Sequence, residues 1–143
     1  MIAYVDTSVL LKLLVNDELG GDAAARLWVD ADRVLCAEIG YAEARAALAT
    51  AHRSKRLTAS ALRVAKRELE SLWSQLDVVA VSAGVVRAAG DLAEREHLRG
   101  FDAIHLAAAE AGGATVLASA DTRLITAARH RNMATSNPNH PRS

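Results

Sequence analysis

The chain has 143 residues, of which 51% are hydrophobic and only 3% aromatic. That describes a single domain whose core is built from Ala, Leu and Val rather than from large rings. Its formal net charge is zero, with 17 basic and 17 acidic residues, so a uniformly basic nucleic-acid binder is excluded and any such surface must be a local patch. The one cysteine, Cys36, excludes an intrachain disulfide and a cysteine-rich zinc cluster; its apolar run, Val34-Leu35-Cys36-Ala37, reads as a buried strand with a structural thiol.

Ile2 to Val5 is a short β-forming run closed by Asp6. Thr7 and Ser8 are candidate N-caps for a helix over Val9 to Val15. The Gly20-Gly21 pair breaks the chain, and Asp22 is placed to cap a helix carrying Ala25, Trp28 and Val29. Val34 to Ala37 is the second strand. Ala-rich sequence favours helix from Ile39 to Ala51. A turn over Ser54 to Leu57 follows, and Thr58 caps a helix in which Leu62, Ala65, Leu69, Leu72 and Leu76 recur at helical spacing. These two helices form an antiparallel hairpin. Leu76 to Val81 is a third strand, Val85 to Glu96 a helix, and another helix starts near Asp102. Thr115 to Ala118 is the fourth strand, a helix runs to about Arg131, and Met133 to Ser136 is a weak last strand. The Pro-containing end, from Asn137 to Ser143, reads as a disordered tail. Alternation of strands and helices implies an α/β fold with a mostly parallel sheet covered on both faces. No run is long and apolar enough to span a membrane, and the N-terminus lacks a signal peptide's charged region, so a cytoplasmic location is expected.

Open parallel sheets gather ligands beyond the carboxyl ends of their strands. Asp6 closes the first strand and Asp121 follows the fourth. Asp102 opens the very apolar helix Asp102-Ala103-Ile104-His105-Leu106-Ala107, and Glu43 lies in a helix soon after the second strand. Taken singly, Asp102 and Asp121 read equally as N-caps and Glu43 as a solvated acid. Asp6 is the exception: an acid closing a buried strand has to be paired, hydrogen-bonded or metal-bound. If all four meet, two carboxylates about 5 Å apart at an effective dielectric near 20 repel by roughly 3 kcal/mol, and a helix N-terminus returns only about 0.3–1 kcal/mol per acid. A cation is then required, and an all-oxygen set suits Mg²⁺ or Mn²⁺ rather than zinc.

These residues carry a family resemblance. Val5-Asp6-Thr7-Ser8-Val9-Leu10, Ala42-Glu43-Ala44-Arg45, Leu98-Arg99-Gly100-Phe101-Asp102-Ala103-Ile104-His105-Leu106-Ala107-Ala108-Ala109 and Ser119-Ala120-Asp121-Thr122-Arg123-Leu124 resemble, in order, the four motifs of PIN-domain proteins. The likeness is closer still to the VapC-type toxins of bacterial toxin–antitoxin modules. It spans residues 1 to about 138, with 139–143 as the tail. It implies a PIN-like three-layer α/β/α sandwich with a protruding helical hairpin, and a Mg²⁺- or Mn²⁺-dependent endoribonuclease leaving 5′-phosphate and 3′-hydroxyl ends. Asp6 and Asp102 would be direct metal ligands, with Glu43 and Asp121 completing the site directly or through water. Thr7 and Ser119 would support the ligands or touch phosphate. The implied partners are RNA and a VapB-like antitoxin, in a homodimer and a toxin–antitoxin hetero-oligomer. A catalytically silent PIN-like module that binds RNA or protein is the alternative.

Other residues read more plainly. His105 shares a helix face with Asp102 and is expected to be satisfied by a neighbour. Asp91, Glu94 and Glu96 read as a solvated face. The basic turn with Arg53, Lys55 and Arg56 is the candidate RNA contact. Five aromatic residues are too few for rows of stacked bases. A phosphotransfer receiver lacks its late strand-end lysine here, a haloacid-dehalogenase-type phosphatase would need Asp where Ser8 stands, and Gly-rich phosphate loops are absent.

Overall fold

The computed structural model describes residues 1–15 and 19–140. Five strands, β1 (Ile2–Val5), β2 (Arg33–Ala37), β3 (Asp77–Val79), β4 (Val116–Ala118) and β5 (Ala134–Ser136), form one sheet in the order β3-β2-β1-β4-β5. Every pairing is parallel. Seven helices connect and cover them: α1 (Thr7–Leu14), α2 (Gly21–Asp30), α3 (Ile39–Arg53), α4 (Ala59–Gln75), α5 (Ala83–Glu96), α6 (Gly100–Ala111) and α7 (Thr122–His130).

The strand side chains alternate between two cores, as the twofold repeat of a strand requires. Tyr4, Leu35 and Leu117 face α5, α6 and α7. Val5, Cys36 and Ala118 face α1 and α2. This is the three-layer sandwich. A third cluster, with Leu14 and Val15 against Ala44, Leu48, Ala65 and Leu69, packs α1 into the α3–α4 hairpin. Cys36 is fully buried and unpaired, and burial pushes its thiol well above the usual range. The hairpin sits close to the sheet: a Cβ added at Gly40 would lie 2.5 Å from the Cys36 Sγ. A small residue there lets α3 approach β2 and sets where Glu43, one turn on, comes to lie.

Several boundaries differ from the sequence reading. Asp6 itself is the N-cap of α1, with extended backbone and its carboxylate accepting from the Val9 N–H, so Thr7 and Ser8 fall inside the helix. Gly20 takes the cap of α2 with φ 89°, leaving Asp22 in its first turn. Helix α6 opens at Gly100 with Arg99 as its cap, so Asp102 is a first-turn residue and not a cap. Ser82 caps α5, which therefore starts at Ala83. The edge strands β3 and β5 are three residues each, shorter than the runs read from sequence. Asn137 to His140 form a bridged turn rather than the start of a disordered tail, and residues 141–143 lie outside the described residues. No helix among the described residues is long and apolar enough to cross a membrane.

Candidate active site

The sheet order changes direction at β1: β2 and β3 lie to one side, β4 and β5 to the other. The crevice beyond the carboxyl ends of β1 and β4 is the usual ligand position in such sheets. Asp6 leaves β1 there, and Asp121 caps α7 just past β4.

Asp6 is 5% exposed. Its carboxylate accepts from Ser8 Oγ at 2.5 Å, Ser119 Oγ at 2.5 Å and the Val9 N–H at 3.3 Å. Burial raises its pKa above the ordinary value despite these hydrogen bonds. Among the described residues, no Lys or Arg pairs with it. Ser119, fully buried, also accepts from the Asp121 N–H at 2.9 Å. Ser8 Oγ accepts from the Ala120 N–H at 2.9 Å. The two serines therefore clamp the end of β1 to the loop after β4 and link Asp6 to Asp121 through one hydroxyl. Asp121 spends one oxygen capping α7, through the Arg123 and Leu124 N–H groups.

Glu43 enters from α3. Thr7 Oγ1 and His105 Nε2 both donate to its Oε1, each at 2.7 Å. Burial pushes the Glu43 carboxyl up, but the hydrogen bonds from His105 and Thr7 outweigh it, so its pKa ends below the ordinary value. Oε1 is taken twice, and Glu43 lines a pocket with Arg99, Gly100, Phe101, Asp102 and Ile104. That pocket has a volume of about 460 Å³, and Phe101 stands 64% exposed in it.

His105 is 2% exposed and satisfied by neighbours on both sides, as expected: by Glu43 and by Tyr4. Tyr4 Oη accepts from the Ala37 N–H at 3.0 Å and lies 2.6 Å from His105 Nδ1. A backbone N–H only donates and a carboxylate only accepts. With a neutral imidazole, the Tyr4 hydroxyl donates to Nδ1 and the Nε2–H donates to Glu43. One buried chain, Ala37–Tyr4–His105–Glu43, runs from β2 through β1 to α3.

Asp102 projects from the first turn of α6. The Arg99 guanidinium binds it at 3.1 Å and reaches Asp121 at 3.8 Å, while being 77% exposed itself. Arg99 was not singled out from sequence; its place three residues before Asp102 was the available signal. Ser8, likewise passed over, sits two residues beyond Asp6.

The four acids thus reach one end of the sheet, joined by Ser119, Thr7, His105 and Arg99. Among the described residues, no three Asp, Glu, His or Cys side chains are arranged to hold a metal ion as they stand. The reason is visible: Asp6 turns to two hydroxyls, while Asp102 and Asp121 turn to Arg99. The donor set itself is all oxygen, includes a buried carboxylate without a cationic partner, and fits a hard divalent ion. Of the basic turn, Arg53 closes α3 ten residues beyond Glu43, about 15 Å along the helix, so it does not join this site. Glu96 is not solvated: it accepts from His130 Nδ1 at 2.9 Å and is 10% exposed.

Comparison with known proteins agrees with this geometry. The PIN domain family model matches residues 3–130. Ribonuclease VapC45 and Ribonuclease VapC49, from two strains of Mycobacterium tuberculosis, are each 43% identical to the chain over 129 residues, covering 89% of it and 89% of each relative. The crystal structure of FitAcB from Neisseria gonorrhoeae superposes with a TM-score of 0.74 at 21% identity, covering 98% of this chain and 99% of that one. M. tuberculosis VapC20, described as a Sarcin-Ricin loop cleaving toxin, superposes at 0.62 with 21% identity, over 80% of this chain and 86% of that one. A family match over most of the chain, close relatives along nearly its whole length and a shared fold lead to one conclusion: this chain belongs to the PIN-domain family.

Proposed function

We propose that the protein is the toxin of a type II toxin–antitoxin pair, an endoribonuclease that hydrolyses RNA phosphodiester bonds at the Asp6, Glu43, Asp102 and Asp121 cluster. What supports this is the chain of links between the acids: Asp6, buried and with no Lys or Arg partner among the described residues, is joined through Ser119 to Asp121, Arg99 joins Asp121 to Asp102, and Glu43 shares a pocket with Asp102. The 43%-identical relatives named as ribonucleases and the toxin–antitoxin complexes among the structural neighbours support the same reading.

Asp6 and Asp102 would hold Mg²⁺ or Mn²⁺, with Glu43 Oε2 and Asp121 completing the site directly or through water. A divalent ion bound there supplies a lowered water pKa and neutralises charge that builds on the phosphate. The chain's own groups do the positioning. Thr7 and His105 fix Glu43 by its Oε1, which leaves Oε2 for a ligand. Ser8 and Ser119 fix the plane of the Asp6 carboxylate. Arg99 neutralises Asp102 and Asp121 and competes with a cation for them. The exposed Phe101 ring offers a single stacking surface beside the acids. An antitoxin is the partner that restrains such a toxin, and RNA is the substrate.

The test is to incubate antitoxin-free protein with total cellular RNA in Mg²⁺, Mn²⁺ or EDTA, beside an Asp6→Asn variant, and to map the cut ends. Cuts that need the metal, leave 5′-phosphates and vanish in the variant are expected. A folded protein that binds RNA under all conditions and never cuts it would make this a binding module instead.

A further inference from the structure

A second cleft, of about 710 Å³, lies between the end of α5 and the length of α7. It starts beside the acids. Thr122, at its head, directly follows Asp121, and the Arg123 N–H donates to the Asp121 carboxylate at 2.9 Å. It ends at His130, eight residues along α7, or about 12 Å away. Arg95 and His97 form the opposite wall.

The charge of this cleft is one-sided. Its single acid, Glu96, is 10% exposed and spent on His130. Arg95 and Arg123 are exposed and form no ion pair among the described residues. Unpaired guanidinium groups in a chain of zero net charge are the local patch that overall composition left open. Guanidinium suits phosphate because its N–H fork matches two oxygens at once. No aromatic ring from Phe, Tyr or Trp lines the cleft, so it suits a sugar–phosphate backbone rather than stacked bases.

We propose that this cleft is a backbone-phosphate subsite, in which Arg95 and Arg123 seat the RNA strand as it leaves the carboxylates. The inference rests on the ribonuclease reading and adds the path of the substrate. It moves the RNA contact from the Arg53–Arg56 turn to the α5–α7 wall.

The test uses protein carrying Asp6→Asn, so that binding is read without cleavage. Affinity for a fluorescein-labelled single-stranded RNA of about 12 nucleotides is followed by anisotropy over a salt series. Adding Arg95→Gln and Arg123→Gln together lowers affinity roughly tenfold at low salt and flattens the slope of log K against log salt by about 1 per cation. Unchanged affinity and slope in that double variant overturn the proposal, as does a loss seen in Lys55→Gln instead. Poly-glutamate binding as tightly as RNA, with the same loss in the double variant, would assign the cleft to an acidic peptide and also overturn it. If the unsubstituted protein cuts no RNA, the ribonuclease reading fails, and this binding result still reads on its own.

Discussion

Replacing Tyr4 with Phe removes one oxygen from the fully buried centre of the sheet. That oxygen accepts from the Ala37 N–H at 3.0 Å and donates to His105 Nδ1 at 2.6 Å. Ala37 is fully buried and His105 is 2% exposed, so water does not replace either bond. Leaving a buried donor and a buried acceptor unmet costs about 1–3 kcal/mol each, less the desolvation of the lost hydroxyl, giving about 2–4 kcal/mol in all. For a chain of this size that lowers Tm by roughly 5–15 °C. Urea unfolding of the metal-free protein measures it, with the m-value unchanged. A double-mutant cycle with His105→Leu isolates the pair: the two single losses should exceed the double loss by about 1–2 kcal/mol. A Tyr4→Phe cost below about 0.5 kcal/mol, or strict additivity, would refute the buried chain that orients Glu43.

Asp6→Asn should raise the stability of the metal-free protein at neutral pH. The folded pKa of Asp6 lies above its ordinary 3.8, so its ionisation costs stability: the penalty is absent below the ordinary value and complete once pH exceeds the folded one. Melting curves in EDTA should therefore show the variant ahead at pH 7 and the lead vanishing in acid; a lead that persists below pH 3.8 would contradict this origin. Gly40→Ala forces a Cβ against the Cys36 Sγ at 2.5 Å and should cost about 1–3 kcal/mol by overpacking. Because α3 carries Glu43, cleavage should fall further than stability predicts, and an unchanged rate would show that the spacing of α3 does not matter. Arg99→Ala removes the cation that bridges Asp102 and Asp121. The variant should gain more Tm from Mn²⁺ than the unsubstituted protein does, as read by thermal shift; an equal or smaller gain would mean that Arg99 and the ion do not compete.

The positions of Asp6 and Asp121 were legible because strand ends and caps are local features: an apolar run stops at an acid. The layered fold was legible from alternating runs, and the clean split of Tyr4 and Val5 into opposite cores follows from the same repeat. The order of the strands was not, since it depends on which strands pair across the chain. The role of His105 escaped for a similar reason. Its place on the α6 face named no partner; packing of α6 onto β1 and α3 supplied Tyr4 and Glu43. Arg99 was hidden because an exposed arginine has no sequence signature until the carboxylates it joins are brought together. Local rules likewise misplaced the α1 cap: Ser8 bonds the Asp6 carboxylate instead of capping the helix.

The most direct test of the account is an anomalous-scattering map from crystals of the protein equilibrated with Mn²⁺. The account predicts a peak with Asp6 and Asp102 oxygens about 2.0–2.2 Å away, Glu43 Oε2 and Asp121 within reach directly or through water, and the Arg99 guanidinium withdrawn from both aspartates. No peak at that position, with Arg99 still bound to Asp102 and Asp121, would contradict a cation site built from these four acids.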